Sequence, residues 1–446
     1  MQYSTFAAID IGSYDVILEI FEISKKQGIR SVDKICHRME LGKDTYTLGK
    51  IRPEMEEELC RVLADFVRIM EGYRVDDYRA TASSAISEAS NSLYVLGKIH
   101  QLTGLSVTVL SNSEQRFLSY KALAAMEDNF NKIIEKGTAI LDLDGGSFQI
   151  SLFDKDALVT TQNIRMGSLR IRERLAGIQS ETEHYEEMVE ELIWNEVSSF
   201  KKMYLKDRKI ENIMLIGDVF TDSVYQNIEE KTTKIISREN FNTWYEKIIR
   251  QSPMELAVKL GIPLENASLM YPSAVIYKCL IDMMGAEHIW IPGVHMTRGI
   301  AYEYAEQMKL LKGGHNFEND ILMAAKNIGK RYAVNRPHVQ NLEMTALAMF
   351  DATKKMHGMK ERERLLLQMA VMLHDVGKYI SFNNVADSSY NIIMSNEIIG
   401  LSHIEREMVA LIARYNTVTL PSYDELVMES SLSAEQYLTV SELTAI

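Results

Sequence analysis

The stretch TAILDLDGGSFQISLF, residues 138–153, carries the main structural signal of this chain. An apolar run leads to Asp142, a Gly-Gly turn follows, and a second run alternates apolar and polar residues. This order predicts a strand, a tight turn and a second strand. The stretch FAAIDIGSYDVILEIFEI, residues 6–23, has the same order with a Gly-Ser turn. Two such hairpins predict an internally duplicated pair of α/β domains with a phosphate site between the halves.

Alternating helix and strand patterns follow each hairpin. Pro53 opens a segment whose apolar residues recur at steps of three and four, which predicts a helix with one apolar stripe. The run VTVLSNS, residues 107–113, predicts a strand that enters a helix with Ser113 as its N-cap. A further strand is predicted at 210–218, and two further helices are predicted at 181–202 and at 240–260.

Residues 311–320, LKGGHNFEND, predict a domain boundary, because two glycines and several polar residues interrupt the pattern there. Beyond it the apolar spacing predicts helices at 321–332, 339–356, 361–374 and 402–415. The predicted organisation is therefore an α/β domain at 1–124, a second α/β domain at 125–310 and an all-α domain at 316–446.

Composition narrows the class of protein. The 446 residues predict about three domains. Asp plus Glu number 62 and Lys plus Arg 49, so the formal net charge of −13 argues against binding nucleic acid or an anionic membrane. The three cysteines lie far apart, which favours a reducing compartment. The sequence contains neither a signal-peptide pattern nor an apolar run long enough to span a membrane, so we expect a cytoplasmic protein.

The turns of the two hairpins are the candidate phosphate site. Glycines let backbone N–H groups approach a phosphate closely, and serine hydroxyls add donors. The carboxylates of Asp10 and Asp142, at the strand ends, are candidate Mg²⁺ ligands. The candidate phosphate-binding residues are Gly12, Ser13, Gly145, Gly146 and Ser147. Each turn alone is equally typical of a structural turn, and the two together are more specific.

These motifs resemble those of the exopolyphosphatase / guanosine pentaphosphate phosphatase family, which belongs to the actin and sugar-kinase-like superfamily. IDIGS, residues 9–13, resembles the first phosphate loop of the family, and DLDGGSFQ, residues 142–149, resembles its D-x-G-G-G-S-T-E motif. Three more segments resemble T-S-A-x-R-E-A-x-N, S-G-x-E-E-A and G-x-x-R-x-x-E, namely ATASSAISEASN (80–91), LSNSEQRFLSY (110–120) and MGSLRIRERL (166–175). The resemblance implies an α/β fold of two duplicated actin-like (ribonuclease H-like) domains, followed by an all-α HD-like domain.

The resemblance also implies a function. Such a protein removes terminal phosphates from polyphosphate or from a guanosine pentaphosphate-like nucleotide, with Mg²⁺ as cofactor, and forms a homodimer. The catalytic positions that it implies here are Glu114, Gln115 and Gln149.

Several of the implied site positions are substituted. The general base of the family, a Glu, is Gln115, and the Glu after the glycine loop is Gln149. An Arg that clamps phosphate is Ser87, and anionic residues replace glycines at Asp144 and Asp218. Because an amide cannot accept a proton at neutral pH, losing the base costs about 10²–10⁴ in rate. The sequence leaves two alternatives, an impaired hydrolase that uses Glu114 as its base or a non-catalytic phosphate-ligand sensor or partner protein.

The C-terminal region offers a second candidate site. MLHDVGKYISF, residues 372–382, resembles the His-Asp pair of metal-dependent HD phosphohydrolases. His338, His374 and Asp375 match three metal-ligand positions, and Asp387 is a candidate fourth ligand. A third alternative is therefore a metal phosphohydrolase located in this region, while the resemblance favours a role in binding and dimerisation.

Overall fold

The computed structural model describes residues 3–126, 130–155, 157–176, 185–227, 234–311 and 315–446. They form two compact units. The first consists of Met1–Ala157 and Gln162–His315, and the second of Leu158–Thr161 and Asn316–Ile446. The start of the helix predicted at 181–202 lies outside the described residues.

The strands form two mixed sheets. Their bounds are β1 (Ser4–Ile11), β2 (Asp15–Ser24), β3 (Gly28–Arg38), β4 (Asp77–Ala82), β5 (Val107–Val109), β6 (Thr138–Leu143), β7 (Phe148–Asp154), β8 (Ala157–Ile164), β9 (Asn212–Ile216), β10 (Ile235–Ser237) and β11 (His288–Trp290). The strand orders are β3-β2-β1-β4-β5 and β10-β11-β9-β6-β7-β8.

The two sheets repeat one topology. β1 pairs with β2 in antiparallel fashion and with β4 in parallel fashion. β6 makes the same two kinds of pairing, antiparallel with β7 and parallel with β9. In each sheet the hairpin therefore lies beside the parallel strands. The predicted duplication of an α/β domain is confirmed.

The helices surround these sheets and build the C-terminal region. Those of residues 1–315 are α1 (Leu41–Leu48), α2 (Pro53–Tyr73), α3 (Ser84–Ser87), α4 (Ser92–Thr103), α5 (Asn112–Met126), α6 (Phe130–Ile134), α7 (Ser168–Leu175), α8 (Tyr185–Phe200), α9 (Val219–Asn227), α10 (Arg238–Ile249), α11 (Pro253–Leu260), α12 (Leu264–Met284) and α13 (Met296–Gln307). A π-helix, Lys201–Leu205, follows α8. The second unit contains α14 (Phe317–Arg331), α15 (Arg336–His357), α16 (Glu361–Leu373), α17 (Val385–Ser395), α18 (His403–Tyr415), α19 (Tyr423–Leu426) and α20 (Ala434–Ala445), with a 3₁₀ turn at Val376–Tyr379. None of the described helices is both long and apolar enough to cross a membrane.

β1 is buried on both faces. Ala7, Ile9 and Ile11 belong to one hydrophobic core, which also contains residues of α2 and α4. Phe6 and Ala8 belong to the other core, which also contains residues of α5 and α13. A strand covered by helices on both faces has a nearly continuous apolar sequence, which explains the start of the first hairpin.

Two sequence predictions about helix ends are wrong. The single helix predicted at 240–260 is two helices, α10 and α11, because Ser252 forms a capping box with Glu255 and Pro253 begins a new helix. The predicted N-cap Ser113 lies inside α5. Ser111 precedes that helix, and its Oγ accepts a hydrogen bond from the backbone N–H of Glu114 at 3.3 Å.

A close crossing of α5 and α13 sets the position of α5. An ideal Cβ atom added to Gly299 of α13 would lie 2.1 Å from the carbonyl oxygen of Leu118 in α5. Only a glycine therefore allows the two helix backbones to approach this closely. This packing places the first turn of α5 at the ends of the central strands.

Candidate active site

A cavity of about 220 Å³ lies where the two hairpins and the first turn of α5 meet. Four of the residues predicted from the sequence line it, namely Asp10, Gly12, Gln115 and Asp142. Its wall also contains Lys34 and Arg38 of β3, Arg116 of α5 and further carboxylates. The structure thus brings the first hairpin, the second hairpin and α5 together around one polar space.

Carboxylates dominate the electrostatics of this cavity. Burial raises the pKa of Asp10 well above its ordinary value, and the neighbouring carboxylates of Asp15 and Asp144 raise it further. Burial also raises the pKa of Asp15 to about 6, although Arg38 opposes this shift. Anion binding here therefore needs positive charge or a donor close by.

Arg116 supplies that positive charge at Asp142. Its Nη1 donates to Asp142 Oδ1 at 2.8 Å, and its Nη2 donates to Ser147 Oγ at 3.2 Å. Burial raises the pKa of Asp142, and Arg116 is the largest opposing influence. Arg116 is not among the site residues predicted from the sequence. The available signal was a cation in place of the alanine in the S-G-x-E-E-A pattern.

Gln115 faces the cavity, whereas its neighbour Glu114 does not line it. Gln115 is 3% exposed, and within the described part of the chain its Nε2 has no hydrogen-bond partner. The Oε2 of Glu114 instead accepts hydrogen bonds from the backbone N–H and the Oγ of Ser111, at 2.9 and 2.6 Å. Because adjacent helical residues point about 100° apart, one side chain caps α5 while the other enters the cavity. A base role for Glu114 stays a prediction, and it would require breaking this cap.

Gln149 lies beside Asp142 in the β6–β7 pairing. Its Nε2 donates to Ser151 Oγ at 3.3 Å, on the same face of β7. The residues that line the cavity do not include Gln149. Its catalytic role also stays a prediction.

The predicted phosphate loops are packed against each other through Tyr46. The Tyr46 hydroxyl lies 2.7 Å from Ser13 Oγ and 2.8 Å from Ser84 Oγ. An ideal Cβ on Gly146 would lie 2.2 Å from the same hydroxyl oxygen, so a larger residue would collide with it. Tyr46 thus occupies the space between the two turns.

This arrangement buries most of the predicted phosphate-binding residues. Ser13 is fully buried, and Gly145, Gly146 and Ser147 are buried as well. Of the five, Gly12 lines the cavity. Its backbone N–H donates to the carbonyl oxygen of Asp15 at 2.8 Å and closes the turn. Phosphate binding by the other four stays a prediction.

Arg170 holds the second loop in place. Its Nε donates to the carbonyl oxygen of Gly146 at 2.9 Å, and its guanidinium lies 3.9 Å from the centre of the Tyr46 ring. Its Nη2 donates to both carboxylate oxygens of Glu88, at 3.1 and 3.0 Å. Ser87, which stands where the resemblance has an arginine, is exposed next to this pair.

The donor set does not fit a Mg²⁺ ion held between Asp10 and Asp142 in this arrangement. Mg²⁺ requires carboxylate oxygens at close range in octahedral geometry. The Oδ1 of Asp142 is instead occupied by the Arg116 guanidinium. Asp10 retains a buried Oδ1 that has no partner among the residues described. One of the two predicted ligands is therefore already neutralised by a side chain.

Asp218, at the end of β9, predicts a pH dependence of stability. It is 2% exposed, and burial raises its pKa to about 7. The folded state thus holds a proton that the unfolded chain releases above about pH 4, so stability falls as the pH rises from about 4 to about 7. Asn at this position carries no such penalty and keeps the acceptor for the Thr221 N–H, now 3.1 Å from Asp218 Oδ1.

We therefore expect the difference in unfolding free energy between Asp218→Asn and the wild type to shift in favour of the variant when the pH is raised from about 5 to about 8. Chemical denaturation at both pH values measures the free energies of unfolding. Asp207→Asn, at an exposed turn, is the control and should follow the wild type at both. An Asp218→Asn variant whose difference from the wild type is the same at both pH values would contradict the prediction.

His338, His374 and Asp375 come together in the second unit. One ligand atom from each lies within 4.8 Å of the others. His374 is oriented by a 2.8 Å contact between its Nδ1 and the carbonyl oxygen of Val371. Asp387, the candidate fourth ligand, instead pairs with Arg414 at 2.7 Å. Metal binding by the first three residues stays a prediction.

This cluster predicts that the full chain binds one transition-metal ion, because two imidazoles and a carboxylate are suitable ligands for such ions. Metal analysis after dialysis against Mn²⁺ or Zn²⁺ measures the stoichiometry. His374→Ala should lose the ion, and His403→Ala, at the start of α18, should retain it. Equal metal content in wild type and His374→Ala would refute the site.

Two family models match the sequence. The model described as "Ppx/GppA phosphatase family" matches residues 20–308. The model described as "Ppx/GppA phosphatase, domain III" matches residues 322–446.

Curated relatives are distant. A bifunctional 3-dehydroquinate synthase/phosphatase of Fusobacterium nucleatum is 21% identical over 310 residues, which cover 64% of this chain and 44% of that protein. The chain thus spans less than half the length of that relative. A guanosine-5'-triphosphate,3'-diphosphate pyrophosphatase of Vibrio atlanticus is 19% identical over 445 residues, which cover 98% of this chain and 86% of that protein.

Two solved structures show the same fold. The Ppx/GppA family member of Aquifex aeolicus has a TM-score of 0.57 and 18% identity, and the match covers 69% of this chain and 99% of that one. An exopolyphosphatase from Cytophaga hutchinsonii has a TM-score of 0.61 and 17% identity, with 68% of this chain and 98% of that one covered.

Proposed function

The chain belongs to the Ppx/GppA phosphatase family, and we propose that its cavity binds polyphosphate or a guanosine pentaphosphate-like nucleotide and hydrolyses it only slowly. The observation that carries this proposal is the side chain of Gln115. It is buried in the cavity wall at the position where the resemblance implies the general base. An amide can orient a water molecule by hydrogen bonds but cannot take its proton.

The remaining residues support binding more than catalysis. Lys34, Arg38 and Arg116 bring positive charge to the cavity wall. The ion pair between Arg116 and Asp142 neutralises a carboxylate that would otherwise repel phosphate. The alternative function is a sensor or partner protein. It uses the same binding residues but does not release phosphate from the ligand.

Binding of long-chain polyphosphate to the full chain tests the proposal. Titration calorimetry should give a saturable affinity for the wild type. Lys34→Gln should weaken it about fivefold, the equivalent of about 1 kcal/mol for one exposed cation. Lys209→Gln is the matched control, because Lys209 is exposed and does not line the cavity. Absence of saturable binding, or equal losses in the two variants, would reject the cavity as the site.

Phosphate release in the same samples separates the two alternatives. A slow rate that Asp142→Ala abolishes supports the impaired hydrolase, and a rate equal to that of Asp142→Ala supports the sensor. Rapid release by the wild type would contradict both. The homodimer and the cytoplasmic location stay predictions.

A further inference from the structure

Arg116 is a buried cation that the second hairpin holds in place. The residue is 6% exposed. Its Nη1 is bound by Asp142 at 2.8 Å, and its Nη2 lies 3.2 Å from Ser147 Oγ and 3.5 Å from the carbonyl oxygen of Ser147. A buried arginine needs such pairing, because an uncompensated charge in a protein interior is costly.

Two N–H donors beside this ion pair are left without acceptors in the ranges that the structure describes. They are the Nε of Arg116 and the Nε2 of Gln115. Both side chains line the cavity and are more than nine-tenths buried. Buried donors without partners are rare in proteins, because each loses its hydrogen bonds to water. Within the described residues, the same wall also holds two buried acceptors without partners, Asp10 Oδ1 and Asp142 Oδ2. The two donors are therefore available to an acceptor group that enters the cavity.

The charge of Arg116 acts on the carboxylates around it. It lowers the pKa values of both Asp10 and Asp142, against the upward effect of burial. A divalent cation in this position would also lower the pKa values of these two carboxyl groups. The guanidinium differs in one respect, because it offers planar N–H donors that match the oxygens of a phosphate.

We propose that Arg116 takes the place of a divalent cation at Asp142, so that the cavity binds a phosphate-type oxyanion through Arg116 and Gln115 without Mg²⁺. This inference rests on the proposed function, since it specifies how the same cavity holds its anionic ligand. The guanidinium keeps Asp142 neutralised, while Arg116 Nε and Gln115 Nε2 donate to oxygens of the ligand.

Polyphosphate affinity of the wild-type chain, measured in excess EDTA and in Mg²⁺ at one ionic strength, tests the inference. We expect the two dissociation constants to agree within about twofold, because the charge at Asp142 is supplied by the chain itself. Binding in Mg²⁺ that is lost in EDTA overturns this inference and leaves the proposed function standing. Binding in neither condition overturns both.

Replacing Arg116 should convert the site to metal dependence. Arg116→Ala is expected to bind polyphosphate about 10- to 100-fold more weakly than wild type in EDTA, because a charge-assisted donor to phosphate is lost. Mg²⁺ should restore much of this loss, since the Asp142 oxygen that Arg116 occupies becomes available. Arg68→Ala, an exposed residue of α2, is the control and should bind like the wild type in both buffers.

Metal binding gives a readout that does not depend on the ligand. Titration with Mn²⁺ followed by electron paramagnetic resonance should find one more bound ion in Arg116→Ala than in the wild type. Arg116→Lys retains a charge beside Asp142 and covers the case in which the alanine variant does not fold. It should weaken binding in EDTA about fivefold without gaining an ion. Polyphosphate affinities in EDTA that are equal among wild type, Lys and Ala variants would overturn the inference.

Discussion

Gln115→Glu combined with Arg116→Ala is expected to raise phosphate release from long-chain polyphosphate about 10²-fold in the presence of Mg²⁺, the lower end of the usual effect of a general base. Two changes contribute. Glu at position 115 supplies a carboxylate that can accept the proton of an attacking water. Ala at position 116 removes the guanidinium that occupies Asp142 Oδ1 at 2.8 Å.

The environment of residue 115 favours a base in this variant. Gln115 is 3% exposed and shares the cavity wall with Asp10, Asp142 and Asp144. Burial and neighbouring carboxylates both raise the pKa of a new carboxyl group. A base whose pKa lies near neutral pH works best at that pH.

Gln307→Glu is the matched control for this prediction. It makes the same chemical change at the exposed end of α13, where Gln307 contacts Arg79. Phosphate release should stay at the wild-type rate. The measurement is the initial rate of phosphate release at saturating polyphosphate, with binding checked by calorimetry. A wild type as fast as the double variant would mean that Gln115 does not limit the reaction.

Gly299→Ala is expected to destabilise the first unit by about 3 kcal/mol, at the upper end of ordinary overpacking. The new Cβ atom would lie 2.1 Å from the carbonyl oxygen of Leu118, which is backbone and cannot rotate away. The two helices must therefore separate. Because α5 carries Gln115 and Arg116, we expect this variant also to bind polyphosphate more weakly than the wild type.

Gly97→Ala is expected to have the opposite effect on stability, although both glycines lie inside helices. Gly97 is an exposed residue inside α4, and nothing lies within 4 Å of its ideal Cβ. Alanine there should stabilise the protein by about 0.5–1 kcal/mol, because glycine is a poor helix former. Chemical denaturation of both variants compares the two effects. Equal midpoints for Gly299→Ala and Gly97→Ala would show that the helix crossing can relax.

The hairpins were predictable because their signals are local. The run that leads to Asp142, the Gly-Gly turn and the alternating residues that follow all lie within 138–153. The same holds for Pro53 at the start of α2. The helix predicted at 240–260 was wrong because its apolar spacing continues across Ser252 and Pro253, although those two residues are themselves a helix-start signal.

The candidate site was less predictable, since its geometry depends on contacts that are distant in sequence. Glu114 and Gln115 differ in role because α5 turns one of them toward Ser111 and the other toward the cavity. The Ser-x-x-Glu spacing from Ser111 to Glu114 is a capping-box pattern that would have identified the cap. The pairing of Arg116 with Asp142 has no such local signal, because it requires the position of α5 relative to β6.

The Tyr46 hydroxyl restricts the kind of chemical group that can enter between the two turns. Burial raises the pKa of Tyr46 to about 12, so the hydroxyl remains protonated. An incoming group must displace it from Ser13 and Ser84 and then satisfy those two hydroxyls itself. An oxyanion can do so with its own oxygens, whereas an apolar group would leave them buried and unpaired. A group that enters between the two turns therefore has to replace the hydrogen bonds of Tyr46 to Ser13 and Ser84, which favours groups that carry their own oxygens over apolar ones.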